Sequence, residues 1–97
     1  MKTISAQELK NKLQANDEVS LIDIRENYEF EDGNIDGSIN IPMDDLAQNP
    51  DQIKENTILI CRSGRRTESL CYVLERNNNT LDLTFLEGGI LAYNEIN

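Results

Sequence analysis

Hydrophobic residues along the chain fall into short runs that alternate with segments of helical spacing. Four runs rich in Ile, Leu and Val, without strict two-residue alternation, predict strands at residues 19–24, 38–41, 57–60 and 81–86. The intervening segments predict helices at residues 5–15, 26–32, 43–48 and 66–77, with a short last helix after residues 88–89. Apolar strands that alternate with helices are typical of a parallel sheet covered on both faces, so the pattern predicts an α/β fold.

Local signals support two of these helices. Ser5 and Glu8 stand at the spacing of a capping box, in which the two residues satisfy each other's backbone N–H groups. In the helix at residues 66–77, Leu70, Val73 and Leu74 are expected on the buried face. Both helices are therefore expected to pack one apolar side against the sheet.

The size and charge of the chain exclude several classes of protein. Its 97 residues fit one domain, over residues 1–97. It carries 18 acidic and 9 basic residues, a net charge of −9, whereas binding to nucleic acid or to an anionic membrane needs a basic surface. No apolar run reaches the roughly 18 residues of a membrane span, and the first residues lack the apolar core of a secretory signal. We therefore expect a cytoplasmic protein that binds neither nucleic acid nor membrane.

The chain contains no histidine and only two cysteines. The absence of imidazole excludes Ser-His-Asp triads and Cys-His dyads. Two thiolates are too few for a four-thiolate zinc site within one chain, so we expect no metal and no cofactor. Two cysteines in an intracellular chain are expected to stay reduced. Any catalysis by this protein must proceed without a histidine.

Candidate chemistry concentrates where the strand at 57–60 runs into the helix at 66–77. Three of the nine basic residues lie within five positions there, directly after a cysteine. The segment reads Cys61, Arg62, Ser63, Gly64, Arg65, Arg66 and Thr67. Such a loop can turn several backbone N–H groups towards one point, and the helix N-terminus adds positive potential there. These surroundings favour a thiolate, so Cys61 is the candidate nucleophile and residues 62–67 the candidate anion-binding loop.

A structural interpretation of this loop stays open. A single cysteine after a buried strand often only fills the core, and neighbouring arginines often only form a solvated surface. Arginines at a helix N-terminus oppose the helix dipole, however, which suggests that an anion binds between them. Cys71, on the following helix, is interpreted as a packing residue, with a resolving thiol as the alternative.

Two further regions have candidate roles beside this loop. Asp23 and Arg25, at the end of the strand at 19–24, are interpreted either as charges that stabilise the fold or as supports that brace the Cys61 loop. Gly88 and Gly89 are expected to form a turn and a helix start, and they would also let the backbone approach that loop. A run of acidic residues is interpreted as solvated surface: Glu26, Glu29, Glu31, Asp32 and Asp36.

With these residues identified, the chain closely resembles the single-domain rhodanese family of sulfurtransferases along nearly its whole length. Residues 21–26 (LIDIRE), 28–30 (YEF) and 33–42 (GNIDGSINIP) resemble the family's first motif. Residues 61–67 (CRSGRRT) resemble its active-site loop, and residues 86–93 (LEGGILAY) resemble its last motif. The family often has His, Ser and Trp where Asn34, Thr67 and Tyr93 stand in this chain. None of these departures touches the nucleophile, so they leave substrate preference open.

The resemblance implies a rhodanese-like three-layer fold, with a five-stranded, mainly parallel sheet and helices on both faces. It implies that Cys61 carries sulfur as a persulfide and that loop amides and Arg66 shape the anion site. We therefore expect a thiosulfate sulfurtransferase-type enzyme, which moves sulfur from thiosulfate or a related donor to cyanide, a thiol or a protein. Arg62 and Arg65 are candidates for guiding the anionic donor.

Three other functions stay open. The first is a persulfide carrier or protein-interaction module with little free turnover, and the second is a redox-sensing Cys61. The third is a cysteine phosphatase or arsenate reductase, which also sets a cysteine in an anion-binding loop. Tyrosine-type phosphatases place five residues between the cysteine and the phosphate-binding arginine, whereas four residues separate Cys61 from Arg66. The shorter loop is expected to crowd a tetrahedral oxyanion and to accept a single sulfur.

Overall fold

Five strands form one sheet in the order β1-β5-β4-β2-β3, and each neighbouring pair runs parallel. The structure is a computed structural model that describes residues 1–96. The strands are β1 (Lys2–Ile4), β2 (Ser20–Asp23), β3 (Ser38–Asn40), β4 (Thr57–Ile60) and β5 (Thr84–Leu86). The helices are α1 (Ala6–Gln14), α2 (Asn27–Glu31), α3 (Met43–Gln48), α4 (Arg65–Asn77) and α5 (Gly89–Glu95), with a short 3₁₀ helix at Pro50–Gln52.

The architecture confirms the α/β fold and the five-stranded parallel sheet, with two differences in the strands. The hydrophobic pattern does not predict β1, because this edge strand is three residues long and buries only Ile4. β5 begins at Thr84, later than predicted, although Leu83 is buried. The Leu83 N–H donates to a carboxylate oxygen of Glu75 (2.8 Å) instead of to a neighbouring strand.

The core has two apolar layers, one on each face of the sheet. Along β4, Leu59 packs into the layer shared with α3 and α4, whereas Ile58 and Ile60 pack into the layer shared with α1 and α5. Successive side chains of a strand point to opposite faces, so one buried strand contributes to both layers. β4 is buried along its whole length and lies between β5 and β2, which places its carboxyl end at the centre of the sheet edge.

The capping box of α1 is confirmed. The Glu8 N–H donates to Ser5 Oγ (3.0 Å), and the Ser5 N–H donates to Glu8 Oε1 (2.9 Å). These two hydrogen bonds satisfy backbone donors that the first turn of a helix otherwise leaves free. The helix therefore begins where the sequence predicts.

The buried face of α4 differs in one residue from the prediction. Leu70 and Leu74 are buried, but Val73 is half exposed, and Thr67 and Cys71 complete the buried face. Positions 67, 70, 71 and 74 follow the spacing of one helical face, from which position 73 is rotated away. α4 is the longest helix, with 13 residues, and no helix within residues 1–96 has the length and apolar character to cross a bilayer.

Candidate active site

Cys61 directly follows β4 at the carboxyl edge of the sheet. Ile60, the last residue of β4, pairs in register with Asp23, the last residue of β2. The Ile24 N–H continues this pairing by donating to the Ile60 carbonyl (2.8 Å). Ligands of open parallel sheets bind outside the carboxyl ends of the strands, so the fold places the Cys61 segment where a site is expected.

The sulfur of Cys61 is enclosed by its own loop. Its side chain is fully buried, and Sγ accepts a hydrogen bond from the Gly64 N–H (3.1 Å). Gly64 has a φ of +94°, a conformation that glycine adopts readily, and it is the residue that immediately precedes α4. The loop therefore turns at Gly64 so that a backbone donor at the start of a helix faces the sulfur.

Thr67 completes the immediate surroundings of the sulfur. Its hydroxyl donates to the Gly64 carbonyl (2.9 Å) and lies 3.6 Å from Cys61 Sγ. The side chain is fully buried at the base of α4. The Thr67 hydroxyl thus connects the Gly64 carbonyl, at the start of α4, with the Cys61 sulfur.

The start of α5 holds the Cys61 loop from the other side. The Ile90 N–H donates to the Cys61 carbonyl (2.9 Å), and the Leu91 N–H donates to the Arg62 carbonyl (3.1 Å). Gly89 has a φ of +61°, and a Cβ at this position would lie 2.4 Å from the Arg62 oxygen. The expected close approach of the Gly88-Gly89 segment to this loop is confirmed, and it requires the missing side chain of Gly89.

The three arginines of the loop have different surroundings. Arg62 and Arg65 are exposed. Arg62 lines a cavity of about 630 Å³ together with Tyr28 of α2 and Leu91 of α5. Arg65 lines a separate cavity of about 220 Å³, with the exposed Ser63 also on its wall. The two residues therefore present positive charge in two directions.

Arg66 is bound within the protein. Its Nη1 and Nη2 donate to the two carboxylate oxygens of Glu29 at 2.9 and 3.0 Å. This hydrogen-bonded guanidinium lowers the pKa of Glu29 to about 2, and Glu29 in turn raises the pKa of Arg66. The interpretation of Glu29 as solvated surface is therefore wrong, because both oxygens of its carboxylate accept hydrogen bonds from Arg66.

Asp23 and Arg25 form a buried ion pair with each other. Arg25 Nη2 lies 2.8 Å from Asp23 Oδ2, and the same nitrogen donates to the Gly33 carbonyl. The side-chain amide of Asn40 donates to the carbonyls of both Asp23 (3.0 Å) and Arg25 (2.9 Å). Asn40 thus ties the end of β2 to β3, and the Arg25 guanidinium ties it to the segment after α2. Arg25 also lines the same cavity as Arg62.

Cys71 lies in the apolar layer beneath α4. It is a free thiol and fully buried. Burial, followed by the negative charge of Glu75, raises the pKa of Cys71 to about 12. This thiol stays protonated over the ordinary pH range, as expected of a packing residue.

The structure places two of the predicted residues, Gly64 and Thr67, against the Cys61 sulfur, whereas Arg62, Ser63 and Arg65 are exposed and Arg66 binds Glu29. Glu29 and Gly89 are two further residues that adjoin this segment. Gly89 was noticed in the sequence, although the doublet at 88–89 alone does not distinguish a turn from a support of the loop. Glu29 has no local signal, since it lies 37 positions before its partner among other acidic residues. The nearest hint is an uncompensated arginine at a helix N-terminus, which needs a carboxylate from elsewhere in the fold.

Comparisons with known proteins agree with this geometry. A family model described as a rhodanese-like domain matches residues 5–96. The chain is 34% identical over 96 residues to the Bacillus subtilis (strain 168) protein named "Putative sulfurtransferase YtwF", in a match that covers 96% of this chain and 90% of that protein. It is 29% identical over 75 residues to "Putative sulfur carrier protein YrkF" of the same organism, covering 75% of this chain and 40% of that protein.

A solved structure has the same fold over almost the whole chain. The crystal structure of a rhodanese-like domain protein from Staphylococcus aureus superposes with a TM-score of 0.82 at 34% sequence identity. The match covers 96% of this chain and 91% of that one. Fold and sequence therefore lead to the same group of proteins.

Proposed function

The chain belongs to the rhodanese-like domain family, and on that premise we propose that it transfers sulfur through a persulfide on Cys61. Relatives named as a sulfurtransferase and as a sulfur carrier support sulfur transfer as the general activity. The identity of the nucleophile, the donor and the acceptor is our proposal.

The first half of the reaction loads the sulfur. The Cys61 thiolate attacks the outer sulfur of thiosulfate or a related donor, which forms an S–S bond to Cys61 Sγ. The S–S bond of thiosulfate breaks, and sulfite leaves with the electron pair. This is a displacement at sulfur like thiol–disulfide exchange, and it needs no proton transfer to an oxygen leaving group. A chain without histidine can therefore carry it out.

The second half unloads the sulfur. An acceptor nucleophile, such as cyanide, a thiolate or a protein thiolate, attacks the outer sulfur of the persulfide. The bond between the two sulfurs breaks, and its electron pair returns to Cys61 as a thiolate. With cyanide the product is thiocyanate, and the enzyme is ready for another donor.

The observation that carries the proposal is the hydrogen bond from the Gly64 N–H to Cys61 Sγ (3.1 Å). A backbone donor at a helix start stabilises negative charge on the sulfur and, after loading, on the persulfide group. Because this donor belongs to the turn itself, it is in place before the donor molecule binds. Preorganised donors of this kind stabilise charge without the energy cost of rearrangement.

Arg62 and Arg65 supply the positive charge that is exposed beside the site. Both face solvent, so they can attract a dianionic donor to a protein whose overall charge is −9. We propose that Arg62 and Arg65 guide the anionic sulfur donor towards Cys61 and its leaving group away from it. Arg66 is a weaker candidate for this role, because its guanidinium is bound by Glu29.

A persulfide carrier with slow free turnover is the second candidate function. It is favoured by the complete burial of the Cys61 side chain, which would protect a bound sulfur until a partner protein opens access. In either case we expect the reaction in the cytoplasm, because free thiols such as Cys61 and Cys71 persist in a reducing compartment.

Mass spectrometry of the intact protein tests the proposal. After incubation with thiosulfate we expect a gain of about 32 Da, the mass of one sulfur atom, which disappears when cyanide is added. Cys61→Ser should show no gain, and Cys71→Ser should gain the same mass as the unmodified protein. Absence of the gain, or its location on Cys71, contradicts the proposal. Repeated turnover with cyanide identifies an enzyme, whereas loading without turnover identifies a carrier.

A control with p-nitrophenyl phosphate separates sulfur transfer from phosphatase chemistry. We expect no hydrolysis, because the four residues between Cys61 and Arg66 form a loop that is too short for a tetrahedral phosphate group. Hydrolysis that Cys61→Ser abolishes would make the phosphatase the better assignment.

A further inference from the structure

The ion pair between Glu29 and Arg66 joins two parts of the chain that meet at the active site. Glu29 belongs to α2, and Arg66 is the second residue of α4, two positions after the residue whose N–H contacts Cys61 Sγ. Both nitrogen–oxygen distances, 2.9 and 3.0 Å, fit the fork-to-fork geometry of a guanidinium and a carboxylate. The pair is half-buried, and Glu29 also lines the cavity that Arg62 borders.

This pairing changes the charge that the Cys61 loop offers to an anion. A free guanidinium at this position would add a two-pronged donor for the oxygens of phosphate or arsenate. When Arg66 is bound to Glu29, the ion pair has no net charge. Both terminal nitrogens of the guanidinium already donate hydrogen bonds to the Glu29 carboxylate. The pKa of Arg66 is raised first by its hydrogen bonds to Glu29, and negative charge on Cys61 adds to the same shift.

We propose that Glu29 is a specificity-determining residue, which holds Arg66 in an ion pair and thereby keeps phosphate and arsenate out of the Cys61 loop, whereas a donor such as thiosulfate presents its outer sulfur to Cys61. The negatively charged group that the loop accepts is then the outer sulfur of the Cys61 persulfide, which the Gly64 N–H stabilises. The inference rests on the proposed function for its biological meaning, since it states which anions the sulfur site rejects. Glu29 acts here as a positioning residue, through Arg66, and does not touch the reacting sulfur.

The variant Glu29→Gln tests this role. It keeps the size and a hydrogen-bonding group of the side chain but removes the charge that neutralises Arg66. The matched control is Glu31→Gln, which makes the same chemical change at an exposed position of the same helix. The probes are inorganic phosphate and arsenate, and the readout is how strongly each protects Cys61 from alkylation by iodoacetamide.

We expect protection in Glu29→Gln at about tenfold lower anion concentration than in the unmodified protein, in the range of one charge-assisted contact. Glu31→Gln should match the unmodified protein. The double variant Glu29→Gln with Arg66→Gln should lose the gain, because the freed guanidinium is gone. A parallel fall in the inhibition constant of phosphate for sulfur transfer would accompany the change in protection.

A purely structural role of the pair predicts a different result. Glu29→Gln would then lower the melting temperature and leave the anion concentrations for protection unchanged, which would overturn the proposal. If Glu29→Gln does not fold, Glu29→Asp decides, since the shorter side chain keeps the charge but draws its carboxylate away from the two Arg66 nitrogens. A severalfold gain in protection then supports the proposal, and no gain overturns it.

Alkylation does not depend on sulfur transfer, so the two proposals fail separately. If thiosulfate adds no sulfur mass to the unmodified protein, the proposed function is wrong. The protection experiment still reports whether Glu29 governs access of oxyanions to Cys61.

Discussion

Two cysteines ten positions apart are both completely buried and free, yet their surroundings differ in kind. Cys61 directly follows β4, and its sulfur accepts a hydrogen bond from the Gly64 N–H at the start of α4. Cys71 lies on α4 in the same apolar layer, and burial, followed by the charge of Glu75, raises its pKa to about 12. Burial is therefore the same at both thiols, and the groups that face each sulfur distinguish them. A buried thiolate needs a donor or a positive charge to replace water, and the Gly64 N–H supplies such a donor at Cys61.

The largest expected contrast comes from removing each sulfur in turn. Cys61→Ser should lower sulfur transfer roughly ten-thousandfold or to the background, because a hydroxyl is a poor nucleophile towards sulfur. Cys71→Ser should keep at least about half of the activity, since its thiol only packs. The assay is thiocyanate formation from thiosulfate and cyanide on folded protein. Loss of activity in a folded Cys71→Ser variant would show that both thiols take part and would end the comparison.

The pKa of Cys71 makes a direct prediction about its reactivity. At pH 9 a thiol with a pKa of about 12 is ionised to about one part in a thousand, so iodoacetamide should label Cys71 about a thousandfold more slowly than a free thiol. The Cys61→Ser variant isolates this signal in a mass spectrum, and the same variant in urea is the control. Rapid labelling in the folded state would contradict the assignment of Cys71 as a packing residue.

The raised pKa of Cys71 also predicts how the stability of the fold changes with pH. The pKa of Cys71 is raised in the folded protein from a value of 9.0, so the unfolded chain loses this proton first as the pH rises. The contribution of the protonated thiol to stability is complete below pH 9 and is lost between pH 9 and about 12. Urea denaturation across this range should show a steeper alkaline loss for the unmodified protein than for Cys71→Ser.

Gly89→Ala should disturb the surroundings of Cys61 and leave those of Cys71 intact. A Cβ at position 89 would lie 2.4 Å from the Arg62 oxygen, so the start of α5 must move away from the loop. We expect activity to fall about a hundredfold, the scale of an ångström-sized misplacement at an active site. Gly37→Ala is the control, because Gly37 has a φ of +87° but open space around it. Equal losses in both variants would mean that backbone strain, and not support of the loop, is responsible.

Thr67→Val tests the second group that faces the Cys61 sulfur. Valine keeps the shape but removes the hydroxyl that lies 3.6 Å from Sγ and donates to the Gly64 carbonyl. We expect kcat/KM to fall about tenfold, the scale of one hydrogen bond next to a charge. Thr57→Val, in which the lost hydroxyl accepts the Lys54 N–H far from the site, should lower stability and leave kcat/KM unchanged. Activity equal to the unmodified protein would remove Thr67 from the site.

The smallest effects are expected from the two exposed arginines. Arg62→Ala and Arg65→Ala should each raise the KM for thiosulfate about threefold to fivefold and change kcat less, because solvent-exposed charges contribute little energy. Rising salt should reduce the difference between each variant and the unmodified protein, since the attraction is screened. A fall in kcat with KM unchanged would place the arginine in the transition state of the transfer.

Local rules predict much of the fold and the position of the loop. The capping box of Ser5 and Glu8 marks the start of α1, and short apolar runs mark β2 to β5, because each signal acts within a few residues of itself. β1 escapes these rules, since an edge strand of three residues buries too little surface to leave a pattern. The sequence also marks Cys61 as the candidate nucleophile, because a cysteine, three arginines and a glycine stand close together in the chain.

Local patterns in the chain predict the α/β class, the loop between β4 and α4, and Cys61 as the candidate nucleophile. Contacts between distant segments add the rest: Arg66 binds Glu29, Gly89 lets α5 hold the loop, and Cys71 lies in an apolar layer with a pKa of about 12. Periodicity and turn signals report only neighbouring residues, whereas these contacts join segments that are up to 37 positions apart. They arise because the order of the sheet places β4 between β2 and β5, so that the segments after three strands meet at one edge.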